Sequence, residues 1–157
     1  MKQITLHENM TLQEYLTYVR EQPVLSTQEV RSMLDVVRNG GAKAQETYRQ
    51  LVDAHLFIVV SVAKTYQNHD LDLVELINAG NQGLLCALER FSNSKRFKFA
   101  AYSVYWIRKY ILVAIAENNG IAAAVQSGQS DNEEFKALLD TFPETDQKRL
   151  SQIYDLL

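Results

Sequence analysis

One cysteine, two prolines and six glycines are the scarce residues of this 157-residue chain, and each scarcity excludes a class of structure. A lone Cys86 cannot close an internal disulfide, and no His/Cys cluster has the spacing of metal ligands, so neither a disulfide scaffold nor a bound metal is expected. That cysteine usage fits a reducing, cytoplasmic compartment. Sandwiches and barrels need a turn about every eight to twelve residues, which so few glycines and prolines cannot supply. The longest apolar runs, such as Leu56 to Ala63, fall short of the roughly 20 residues that span a bilayer, and the N-terminus MKQITLHENM lacks the apolar run of a signal peptide, so no membrane segment is expected. Catalytic constellations are missing too. Glu89, Glu133 and Glu134 have no partner histidine or carboxylate in a pattern suited to acid/base work, and there is no Gly-rich phosphate loop. No catalytic residue and no cofactor are expected.

What is present is helical. The apolar content of 46% can bury one core, and five polar–acid pairs spaced as capping boxes mark helix starts: Thr11 with Glu14, Ser26 with Glu29, Asp72 with Glu75, Asp131 with Glu134 and Thr141 with Glu144. The second of these helices stops at Asn39-Gly40-Gly41. From Ala42 to Tyr66 apolar residues recur at helical spacing, as one long helix or as two with a bend near Ala54-His55. Its β-branched run FIVVSV reads as a strand in isolation, but the helical flanks decide against that. The helix from Asp72 runs through Leu88 despite Gly80 and Gly83, each of which lowers helix propensity by roughly 1 kcal/mol relative to alanine, and this points to a close helix approach. After the loop SNSKRFKF a further helix extends from about Ala100 to Asn118. The expected fold class is all-α, with a helical domain over 1–119, a linker over 120–130 and a short helical tail over 131–157.

The net charge of −3 hides a local asymmetry: residues 86–113 carry six basic side chains against one acidic, whereas 114–157 carry three against eight. Seven of the fifteen aromatic residues also fall within 86–113, interleaved with Arg90, Lys95, Arg96, Lys98, Arg108 and Lys109. On a helical wheel Ala100, Val104, Ile107, Ile111, Ala114 and Ile115 form an aliphatic face, and Tyr102, Tyr105, Trp106 and Lys109 lie opposite. Rings that stack on unpaired bases for about 1–3 kcal/mol each, beside cations that follow phosphates, suit single-stranded nucleic acid. Composition alone leaves open whether these rings face a ligand or the core. His55, a lone histidine on an apolar helix, reads as a satisfied packing residue.

The line LVDAHLFIVVSVAKTYQNHDLDLVELINAGNQGLLCALERF (51–91), followed by RFKFAAYSVYWIRKYILVAIAE (96–117), resembles region two of the bacterial sigma-70 family of RNA polymerase sigma factors. Upstream, YVREQPVLSTQEVRSMLDVVRNGGAKA resembles region one-two of the same family. The resemblance implies a transcription-initiation protein that is not itself an enzyme. Its partners would be the RNA polymerase core, bound through the clamp helices of the largest subunit, and promoter DNA, whose non-template strand it captures single-stranded at the minus-ten element. By position, Glu75, Asn78, Asn81 and Leu85 would meet polymerase, with Glu75, Asn78 and Asn81 on one polar face. Arg96, Phe97, Lys98, Phe99, Tyr102, Tyr105, Trp106, Arg108 and Lys109 would meet DNA. The departures from the family pattern bear on both surfaces. WW is Tyr105-Trp106 here, QEG is Asn78-Ala79-Gly80 with a carboxylate lost, and ANLR is Ala54-His55-Leu56-Phe57. Past Glu117 the family's basic, duplex-contacting segment gives way to NNGIAAAVQSGQS and an acidic tail. A second reading stays open: a degenerate sigma mimic that binds polymerase or a regulatory protein partner without productive promoter recognition.

Overall fold

A computed structural model describes residues 7, 9–67, 71–91 and 98–118. The expected linker over 120–130 and tail over 131–157, and with them the domain boundaries, lie outside the described residues. Within them the fold is all-α, as expected: α1 (Leu12–Glu21), α2 (Thr27–Asn39), α3 (Ala44–Lys64), α4 (Leu73–Arg90) and α5 (Phe99–Asn118). The three capping boxes that fall among the described residues form; those expected at Asp131 and Thr141 lie outside them. Thr11 accepts from the Glu14 N–H at 3.2 Å, Ser26 from Glu29 at 3.1 Å and Asp72 from Glu75 at 2.9 Å, and each glutamate carboxylate accepts in return from the backbone N–H of the cap residue. α2 ends on Gly40, whose φ of 73° is cheap only for glycine.

The choice between one helix and two over 42–66 resolves to a single helix of 21 residues. α3 is the central element, packed against α1, α2, α4 and α5. Between Leu51 and Ala63 only Phe57 and Ser61 are exposed, and a helix covered on nearly every side can carry a β-branched run because each side chain gains more from burial than it loses in helix propensity. Asp53 is buried on α3 and is met by Tyr18 of α1, whose hydroxyl donates to Oδ2 at 2.5 Å, and by His7, whose Nε2 lies 3.4 Å from Oδ1. Burial and this hydrogen bond push the Tyr18 phenol up to about 12.

The most extensive helix contact is between α4 and α5, and two glycines make it possible. A Cβ on Gly80 would stand 2.8 Å from Val59 Cγ1 and 3.3 Å from Ile107 Cγ2, both side-chain atoms. At Gly83 it would meet the Trp106 carbonyl oxygen and stand 2.7 Å from Ile107 Cα, so the backbones themselves touch there. Close approach inferred from two costly glycines is thus the geometry found. α5 is long and apolar enough to cross a membrane by length and composition, a test that no uninterrupted apolar run in the sequence meets. Most of its length is buried inside the protein, where those residues form core.

Candidate nucleic-acid interface

α5 starts with its first turn closed by the Tyr102 N–H donating to the Lys98 carbonyl at 3.1 Å, and it carries most of the expected DNA-contacting residues. The division into an aliphatic core face and an outward aromatic face does not hold. Val104, Ile107, Ile111 and Ile115 are buried as expected, but Ala100 is exposed and Ala114 half-buried. On the other side Tyr105 is 1% exposed and Trp106 2%, and Phe99 and Arg108 are buried as well. The physical reason is that α4 covers one flank of α5 through the Gly83 contact and α3 another, so most of the helix from Phe99 to Arg108 is enclosed. Tyr102 and Lys109 are half-buried and Lys98 is exposed, while Arg96 and Phe97 lie outside the described residues.

The rings form a connected cluster. Phe91 at the end of α4 stands edge-on to Phe99 at 5.3 Å and beside Tyr102 at 5.2 Å. Tyr102 meets Trp106 at 6.3 Å, and Tyr105 meets Trp106 at 5.1 Å, both at 64°. Edge-to-face geometry of this kind is the favoured packing of aromatic quadrupoles. Arg108 does not reach outward: its Nη1 donates to the Tyr66 hydroxyl at 3.3 Å, in the core. Two cations lie over Trp106 itself, Arg90 with its guanidinium carbon 4.7 Å from the ring centroid and Lys109 with its ammonium 5.0 Å away. Arg90 was not singled out from the sequence, because it sits sixteen residues before Trp106 on a different helix. Its place in the basic, aromatic stretch was the one available signal.

His55 is satisfied, as a packing histidine should be: its Nδ1–H donates to the Leu51 carbonyl at 2.7 Å, and its ring stands edge-on to Phe99 at 4.9 Å. It lines a cavity of about 70 Å³ with Val30, Arg31, Phe91 and Phe99. Burial pushes the imidazole below its usual value, against the smaller opposing effect of that hydrogen bond. The unfolded chain therefore takes up a proton near pH 6.5 that the folded chain refuses, so His55 contributes stability above that pH which is lost as pH falls further. Urea unfolding midpoints at pH 7 and 5.5 are expected to show a drop that His55→Gln reduces.

On the expected polymerase face the structure separates the four residues. Glu75 is half-buried and spends one carboxylate oxygen on the Asp72 N–H at 3.2 Å. Asn78 is half-buried. Leu85 is half-buried and lines an open groove of about 590 Å³ between α3 and α4 with Tyr48, Arg49, Val52 and Asp53. Asn81 corrects the expectation of a shared polar face. It is fully buried, its Nδ2 points to the Tyr15 hydroxyl of α1 at 3.5 Å, and its Oδ1 has no hydrogen-bond partner among the described residues. Three-residue spacing turns a helix by about 300°, so the two steps from Glu75 carry Asn81 roughly 120° round toward α1.

Comparison with known proteins places these elements. Residues 51–120, which hold most of α3 and all of α4 and α5, match the family model of sigma-70 region 2. The RNA polymerase sigma factor SigA of Lactococcus lactis subsp. lactis is 36% identical over 103 residues, covering 66% of this chain and 27% of the relative. SigA of a Bacillus species is 37% identical over 109 residues, 69% of this chain and 28% of its own length. SigA of Clostridium acetobutylicum is 35% identical over 118 residues, 73% and 30% respectively. The chain spans less than a third of the length of these relatives.

Proposed function

We propose, from the match of residues 51–120 to the family model of sigma-70 region 2, that the protein is a sigma-like transcription-initiation factor that binds the RNA polymerase core and captures single-stranded promoter DNA. The observation that carries the reading is that the matched stretch coincides with the chain's basic and aromatic segment on α5. Polymerase docks on α4, through Glu75, Asn78 and Leu85 and the groove that Leu85 lines, and the clamp helices of the largest subunit are the element it meets. Asn81 acts behind that surface by tying α4 to α1. The non-template strand of the minus-ten element runs along α5, where Tyr102 offers the accessible ring and Lys98 and Lys109 the accessible cations. Arg96 and Phe97 lie outside the described residues and join this reading by sequence position alone. Catalysis is left to the polymerase.

A second reading, a sigma mimic that holds polymerase or a regulatory partner without productive promoter recognition, is favoured by one observation. Phe99, Tyr105, Trp106 and Arg108 are buried, which withdraws much of the expected wall from the surface. Gel filtration with core polymerase at micromolar concentration tests the first reading and the polymerase-binding form of the second: free migration sinks both and leaves only a mimic that holds a regulatory partner. Capture of a minus-ten single strand by the co-eluting complex then separates them.

The docking surface has its own test. Lysine at position 75 would remove the capping box along with the charge, so Glu75→Gln is the cleaner change, because glutamine serves equally at that position of the box. Polymerase affinity is expected to fall by about 1 kcal/mol, roughly fivefold, with thermal stability unchanged, the magnitude of a partly exposed charge contact. Equal affinity would move the docking surface off α4.

A further inference from the structure

Among the described residues Trp106 is enclosed without a hydrogen bond to its indole. A buried indole usually finds an acceptor for its N–H, yet Trp106 Nε1 has no hydrogen-bond partner among the described residues, although the residue is only 2% exposed. The groups over its ring are Arg90 and Lys109, and both belong to the surface: Arg90 is the exposed last residue of α4, and Lys109 is half-buried, one turn beyond Trp106 on α5. Bringing two like charges to one ring sets them against each other, and cation–π contacts of exposed side chains are weak because water competes for the cation. The ring is thus covered by the side chains that a phosphate backbone attracts most strongly.

We propose that Arg90 and Lys109 are a displaceable cationic cover on Trp106, which single-stranded nucleic acid lifts by drawing both cations onto its phosphates while a base stacks on the ring face they leave. The proposal rests on the nucleic-acid reading above and adds Arg90 to it as a binding residue. Each cation–ring contact is traded for a cation–phosphate pair, and the ring regains an aromatic partner in the base. It also reconciles a buried tryptophan with a stacking role: the free protein keeps the ring out of water until the ligand supplies both the anions and the base.

Trp106 is the single tryptophan of the chain, so intrinsic emission reads this ring alone. In the free full-length protein the double variant Arg90→Gln, Lys109→Gln should raise acrylamide quenching of that emission several-fold with the far-ultraviolet circular dichroism unchanged, and Arg90→Gln alone should give an intermediate rise. Unchanged quenching means that fixed neighbours cover the ring, and the proposal is wrong. In a second arm, a fluorophore-labelled single-stranded dodecamer of A and T is titrated at several salt concentrations with the protein assembled on core polymerase. The slope of log affinity against log salt should be shallower in the double variant by about 1.4, which is roughly 0.7 for each single-strand phosphate no longer neutralised. Equal slopes overturn the cover while leaving the nucleic-acid reading in place. Failure of the wild-type complex to bind the dodecamer, with quenching still released in the variant, overturns both.

Discussion

Gly83→Ala is expected to destabilise the protein by about 3 kcal/mol, the upper end of what overpacking a core costs. The added methyl would collide with the Trp106 carbonyl and the Ile107 Cα, and backbone atoms of a packed helix cannot turn aside as a side chain can. Alanine's better helix propensity offsets only about 1 kcal/mol of that strain. Gly80→Ala provides the contrast. Its nearest neighbours are side-chain atoms, Val59 Cγ1 and two isoleucine methyls, which can give a little although Val59 is buried and stiff at χ1, so the loss should be about 1–2 kcal/mol, smaller than at Gly83. Thermal unfolding of the two variants separates these cases. A loss near 3 kcal/mol lowers Tm by more than about 10 °C in a domain of this size. A mild Gly83→Ala would mean that α4 and α5 do not approach as closely as described.

The second large effect asks which rings of the aromatic cluster the fold depends on and which it can spare. Trp106→Ala is expected to cost about 3–5 kcal/mol of stability, the usual penalty for emptying a large buried site, because the ring is enclosed by Tyr102, Tyr105, Arg90 and Lys109. Tyr102→Ala removes a half-buried ring at the edge of the same cluster and should leave a cooperative fold. With polymerase bound, it should weaken capture of an A/T-rich single strand by about 1–3 kcal/mol, the worth of one stacking ring. Calorimetry on both variants, paired with oligonucleotide titration of Tyr102→Ala, reads the two effects. If Tyr102→Ala costs stability and leaves strand affinity untouched, Tyr102 is a core residue and the mimic reading leads.

The wheel for α5 shows why only part of this site was legible. Angular position separates Val104, Ile107 and Ile111 from Tyr102, Tyr105 and Trp106, and that separation is real along the helix. Whether the second set meets water depends on how many neighbours the helix has. A wheel drawn for one helix carries no information about α3 and α4 closing from the other side. Asn81 misled for the same reason, since its polar side chain suggested an outer face although α1 stands there with the Tyr15 hydroxyl. Glu75 was placed correctly at the N-terminal end of α4, but its capping role also constrains which substitution can test it.

What the sequence determined by itself is what short-range physics encodes. The caps Thr11, Ser26 and Asp72 set three helix starts through contacts three residues apart, and helical spacing carried α3 and α5 through stretches of ambiguous propensity. The order of residues was also enough to show the resemblance to region two that the family match over 51–120 bears out. The tertiary structure alone decided which polar and aromatic groups are spent on the interior. Asp53 pairs with Tyr18 across 35 residues, Arg108 with Tyr66 across 42, and Arg90 covers Trp106 from another helix. Such pairings are fixed by how closely two backbones can approach, and at Gly83 that distance depends on the absence of a single methyl group.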